Sequence, residues 1–137
     1  MQNDLWLNAS SKDLNKAKEF FQKMGFVINE KHGNPGMVSL FVGSNKVVLN
    51  LFPETTFKMF TNSPVTNTKE TTEVLFSIGA GSRAEVDELA RKAVDAGGVL
   101  YAKPGEKDGW MYGCGFSDLD GHRWNVLYMN MTKLPKG

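Results

Sequence analysis

Cysteine is almost missing from this sequence. Cys114 is the single copy, so no internal disulfide can staple the fold and a disulfide-built secreted scaffold is excluded. Histidine is scarce as well, at two residues, which leaves little imidazole for a metal centre. Neither sign of charge is in excess: 16 basic against 15 acidic residues leave a net charge of +1. Such a balance provides no long-range attraction to phosphate backbones or anionic lipid, so neither nucleic acid nor a membrane surface is an expected partner. No apolar run approaches the ~20 residues of a membrane span. Met1 to Leu7 carries Asp4 and lacks a basic start followed by a long apolar stretch, so no signal peptide is expected and a cytoplasmic setting is the default. What is present is 137 residues with 41% hydrophobic content, enough for one domain, residues 1–137, around one core.

Read along the chain, the elements come in a repeated order. Leu5 to Ala9 reads as a strand, and Leu14, Ala17, Phe21 and Met24 then recur at helical spacing. Ser11 or Asp13 can cap that helix, and Gly25 suits its left-handed end. Strands follow at Phe26–Ile28, Met37–Val42 and Lys46–Phe52, with turns at 33–36 and 43–45. The stretch 53–72, rich in Thr, Asn and Pro, breaks the pattern. It is a connector in which Phe57, Met59 and Phe60 can share a short helix, and a candidate flap. Glu73–Ile78 then reads as a strand, Ser82 to Glu85 as a capping box, and Val86, Leu89, Ala90 and Ala93 as a helix ending at Gly97. Three strands close the chain, at Val99–Lys103, Met111–Ser117 and Trp124–Met129, with Asp118 to Gly121 turning the last hairpin. Gly25 and Gly97 stand 72 positions apart, as do Val27 and Val99. The spacing predicts an α+β fold of two β-α-β-β-β modules, residues 5–52 and 73–130, joined by the connector.

Alternation along the strands predicts which side chains leave the helix side. Val47, Leu49 and Leu51 claim the helix side of their strand, leaving Asn50 and Phe52 opposite. Leu5, Leu7 and Ala9 do the same for Trp6 and Asn8. Val74, Phe76 and Ile78 put Glu73 on the far side, and Trp124 and Val126 put Asn125 there. Four strands thus each offer a polar residue to one face, with aromatic neighbours. If the sheets curve into one concave surface, that face is a mixed polar and aromatic cavity for a small molecule, with Glu73 near its centre and Asn50 and Asn125 within reach.

The stretch Asn8 to Phe26, with its strand, its Leu14-Ala17-Phe21-Met24 helix and Gly25, resembles the opening of the vicinal oxygen chelate superfamily. Asp118-Leu119-Asp120-Gly121-His122-Arg123-Trp124-Asn125 resembles that superfamily's closing hairpin, where Asp-Pro-Asp-Gly and a final Glu are usual. The resemblance covers residues 5–130. It implies the glyoxalase/bleomycin resistance/dihydroxybiphenyl dioxygenase fold, a curved mixed sheet around a cavity, and is similar above all to a branch described as predicted lactoylglutathione lyase. It also implies a homodimer. Members with a metal take His, Glu or Gln ligands from outer strands of both modules. Carried over by position, these sites fall on Trp6 or Asn8, Asn50, Glu73 and Asn125. Only Glu73 keeps a usual ligand type, and neutral asparagine serves a divalent transition metal poorly. A complete metal site is therefore not expected, and no cofactor is; a divalent metal is the alternative.

Two function classes follow. In one, the chain is a metal-free binder of a small molecule, with Trp6, Phe52, Trp110 and Tyr112 as aromatic contacts and Asn8, Asn50, Asn125 and Glu73 as polar anchors. In the other it is a lyase, isomerase or dioxygenase in which Glu73 acts as general base and asparagine amides steady a developing enolate. Gly109 to Gly113 forms a glycine-hinged hairpin that suits a lid or a dimer contact. His122 is read as a surface or packing group, with ligand contact as the alternative, His32 as a surface group in a turn, and Cys114 as a small packing residue without a base beside it.

Overall fold

The computed structural model describes residues 4–31 and 36–133. Helix α1 (Leu14–Met24) begins at Asp13, whose carboxylate accepts from the Lys16 amide at 3.1 Å, and stops at Gly25 with φ +92°. Between the two capping residues considered, the backbone uses Asp13. The stripe Ala17, Phe20, Phe21 and Met24 is buried. Helix α3 (Arg83–Asp95) starts in the expected capping box: Ser82 Oγ accepts from the Glu85 amide at 3.1 Å, and the Glu85 carboxylate accepts from the Gly81 amide at 2.8 Å. The connector carries α2 (Glu54–Thr61), none of whose residues is fully buried.

The strands form two four-stranded mixed sheets. The first contains β1 (Trp6–Ser11), β2 (Val27–Ile28), β3 (Val38–Val42) and β4 (Val47–Pro53), in the order β1-β4-β3-β2. The second contains β5 (Leu75–Gly79), β6 (Val99–Lys107), β7 (Met111–Ser117) and β8 (Arg123–Met129), in the order β5-β8-β7-β6. In each, the first strand runs parallel to the last, so the module repeat is real at the level of topology. Among the described residues, the two sheets are not joined by backbone hydrogen bonds into one continuous curved sheet. The turn expected at 33–36 and His32 lie, Gly36 apart, outside the described residues.

One core serves both modules. Trp124, with no exposed surface, is ringed by Phe21 and Phe26 of the first module and Phe76 and Phe116 of the second, at centroid distances of 4.7 to 6.1 Å. Phe20 reaches Phe116 in the same way, at 6.3 Å. Shared burial of large aromatic surface is the strongest apolar term available to a chain of this size. Cys114 belongs to this core, and burial, aided by Asp87, pushes its thiol up to about 11. Among the described residues, no helix is long and apolar enough to cross a membrane.

Two expectations about strand faces change. Leu5 precedes β1 and is largely exposed rather than in the core. Glu73 and Val74 precede β5, which begins only at Leu75. Val74 is accordingly half-exposed, because the ladder that would turn it toward the helices has not started.

Candidate functional site

The face of each sheet turned away from the helices carries Asn8, Asn50 and Asn125, as alternation predicts, but not Glu73. On the first sheet, Asn8 and Asn50 are direct partners in the parallel register, and the Asn50 side-chain amide donates to Asn8 Oδ1 at 3.2 Å. Phe52, two residues on, is covered by the connector: its ring meets Phe60 of α2 edge-on at 5.1 Å. Trp6 shares the face with Asn8 and is exposed.

On the second sheet, Asn125 lies opposite Ser77, not opposite Glu73. This register corrects the positional reading of the fifth strand. The pair Ser77 and Asn125 repeats the pair Asn8 and Asn50, and Glu73 falls four residues short of it, ahead of the strand. Glu73 is exposed, so the partial burial expected for a general base at the centre of the cavity is not found. The Asn125 amide instead accepts from the Tyr101 hydroxyl at 2.9 Å, and the Arg123 guanidinium lies over the Tyr101 ring, 4.3 Å from its centroid. Sequence reasoning missed Tyr101 and Arg123. Their meeting depends on a register shift between Leu100 and Ala102, which re-aims a side chain in a way that simple alternation cannot anticipate.

Tyr112 does not join this face. Tyr112 has the same parity along β7 as buried Cys114 and Phe116, so it stands on the helix side. Its hydroxyl donates to Asp87 of α3 at 2.7 Å, and Arg83 lies over its ring. The hydrogen bond to Asp87 holds the phenol above its ordinary value. Trp110 sits in the β6–β7 turn, its carbonyl accepting from the Asn130 amide at 2.7 Å. Their hairpin is therefore tied to α3 and to the residue after β8.

A cavity of about 260 Å³ opens between β1, the connector, the approach to β5 and the β7–β8 turn. Asn8 and Ser10 line it from β1, Phe57 and Thr61 from α2, and Thr66, Thr68, Thr71 and Thr72 from the rest of the connector, with Glu73, Val74, Phe76 and His122 among the other lining residues. Hydroxyl groups dominate the polar lining, and Glu73 is its one carboxylate. Gly121, at φ +86°, lets the connector approach the turn: a Cβ there would lie 2.6 Å from the Thr68 carbonyl oxygen. Thr68 also donates to the Asp120 carbonyl. His122 does pack, as its Nε2–H donates to the Ser10 carbonyl at 2.7 Å, yet it lines the cavity too. Beneath it, Asp118 accepts from the amides of Asp120 and His122, each at 3.0 Å, and from Trp124 Nε1 at 3.1 Å. Burial pushes the Asp118 carboxyl up to about 6, against the pull of His122 and of the Trp124 hydrogen bond.

The donor set does not fit a transition metal. The four facing strand positions hold Asn8, Asn50, Ser77 and Asn125, all neutral, and two of the three amide oxygens already accept protein hydrogen bonds. Among the described residues, no three His, Cys, Asp or Glu side chains lie close enough to hold a metal ion. Divalent zinc, nickel, iron or manganese calls for imidazole or carboxylate.

No protein-family model matches this sequence, and no curated protein does. Solved structures do. The chain is 34% identical to hypothetical protein SA1046 from S. aureus, with 93% of this chain and 94% of that one covered at a TM-score of 0.81. A glyoxalase-related enzyme from Fulvimarina pelagi is 20% identical, with 100% and 94% covered and a TM-score of 0.82. A glyoxalase/bleomycin resistance protein/dioxygenase family enzyme from Burkholderia phytofirmans PsJN is 19% identical, with 93% and 99% covered and a TM-score of 0.79.

Proposed function

This chain belongs to one family with the S. aureus hypothetical protein and has the glyoxalase/bleomycin resistance/dioxygenase fold of the vicinal oxygen chelate superfamily; on that premise we propose that it binds a small organic molecule without a resident metal. The observation that carries this reading is the strand register, which sets Asn8 against Asn50 and Ser77 against Asn125. Neutral amides and a hydroxyl stand at these paired positions, and Glu73, the one usual ligand type carried over from the superfamily, lies ahead of β5 and outside them. The amides and the hydroxyl are suited to hydrogen bonding a polar ligand, not to chelation.

The cavity between β1 and the connector supports the same reading. At about 260 Å³ it lies just under the ~300 Å³ at which ligand pockets ordinarily begin, which suits a ligand of few atoms. Phe57 and Phe76 offer apolar contact to a ligand, while the threonine hydroxyls and Glu73 offer donors and acceptors. Asn8 belongs both to this lining and to the amide pair, so a ligand in the cavity touches the first sheet's polar face.

Elemental analysis after dialysis and a ligand-observed NMR screen with small uncharged fragments test the proposal together. Fragment binding without stoichiometric metal is expected, and Val74→Trp, which adds bulk to the cavity lining from a half-exposed position, should abolish it with the circular dichroism unchanged. Near-stoichiometric zinc, nickel, iron or manganese that disappears in Glu73→Ala would overturn the metal-free reading. Fragment binding untouched by Val74→Trp would remove the cavity from it.

A further inference from the structure

We propose that the second sheet carries an anion-binding site of its own, in which Arg123, Asn125 and Ser77 receive the carboxylate or phosphate group of a small ligand. The parallel pairing of β5 with β8 sets Leu75 beside Arg123 and Ser77 beside Asn125. Trp124 and Val126 are buried on the helix side, so Arg123, Asn125 and Leu127 share the opposite face. Three donor-bearing side chains from two adjacent strands thus stand together.

Tyr101 organises them. Its ring lies across the sheet above Gly115, where a Cβ would come within 2.5 Å of a ring carbon. No residue but glycine leaves it that space. The Tyr101 hydroxyl donates to Asn125 Oδ1, which orients the amide so that its NH₂ group is left to donate elsewhere. Burial holds the phenol above its ordinary value, so the hydroxyl keeps the proton it donates. The guanidinium stacked on the ring is restrained by its flat face, while its N–H groups project from its edge in the fork that matches a carboxylate or phosphate.

The charge of Arg123 is unspent. The chain has three arginines. Arg83 pairs with Glu106 at 2.6 Å, and Arg91 pairs with Glu88 and Asp95. Among the described residues, no carboxylate forms an ion pair with Arg123. Leaving one half-buried guanidinium unpaired beside two neutral donors creates a positive, donor-rich patch. Leu75 and Leu127 flank it on the same face and offer contact to the carbon skeleton of such a ligand. None of these residues lines the cavity beside β1; the site rests on the reading of the Ser77–Asn125 pair given above and deepens it, and an anion titration that fails leaves the fragment and metal tests of that reading untouched.

The test is a side-chain NMR titration of the ¹⁵N-labelled full chain with inorganic phosphate and with acetate, at constant ionic strength against sodium chloride. Saturable shifts of the Arg123 Nε–Hε and Asn125 NH₂ signals are expected, and whichever anion binds more tightly identifies the group recognised. Arg123→Gln should weaken binding about tenfold or more, the scale of a lost charge-assisted hydrogen bond, and Arg123→Lys should weaken it less. Shifts that follow chloride equally, no saturation with either anion, or unchanged binding in a folded Arg123→Gln would each overturn the site.

Discussion

Asp118 shows how one residue ties a turn to the core. Its carboxylate collects two turn amides and the indole N–H of the central tryptophan, all inside the protein. Those bonds favour the charged form, but desolvation wins and the carboxyl is raised to about 6. The sign follows from linkage. A carboxyl whose folded value exceeds its unfolded value binds more protons when folded, so its contribution is complete below about pH 4 and is lost as pH rises through about 6. Thermal unfolding should therefore show the midpoint rising as pH falls from 7.5 to 5.5, and Asp118→Asn should flatten that slope. A midpoint that falls over the same window, with the same slope in the variant, would show that other groups govern it.

How far single residues were legible depends on whether alternation reached them. Asn8, Asn50 and Asn125 sit inside strands, and their faces followed from the period of two. Glu73 did not, because it stands beyond the end of β5, where no ladder dictates a face. Tyr112 had the right chemistry and the wrong parity. Tyr101 and Arg123 were illegible for another reason: a strand irregularity and a glycine in a neighbouring strand have to coincide before they meet. Long-range coincidences of this kind leave no local trace.

At the scale of elements, the punctuation was mostly readable. Gly25 takes the left-handed conformation expected of a helix end, and the Phe26 amide closes back on the Phe21 carbonyl at 2.9 Å. The Ser82 capping box forms as its sequence suggests. Ser82→Ala should cost about 1 kcal/mol of stability by chemical denaturation, and Ser82→Asp should restore most of it. An alanine variant as stable as the parent would mean that water caps α3 equally well. Two features were less accessible. β6 runs on to Lys107, past Pro104, because two register shifts let it follow β7. The gap between the sheets is a tertiary outcome that no strand announces.

The whole molecule exposes apolar surface that one chain cannot cover. Trp6 is 63% exposed, and Leu5, just ahead of β1, 68%. Trp6 lies on the face of the first sheet turned away from the helices, beside the Asn8–Asn50 pair. Large apolar side chains gathered near sheet faces, with polar groups around them, mark an association surface. A two-fold pairing would present the same patch from each subunit and hide it from water on both. A stable interface removes about 800 Å² per partner. A homodimer is therefore expected in light scattering at micromolar concentration. Trp6→Glu should shift it toward monomer with the fold intact, since a carboxylate cannot be buried unpaired without a cost of several kcal/mol. A parent chain that scatters as a monomer would sink the idea, and a Trp6→Glu dimer would move the interface away from β1.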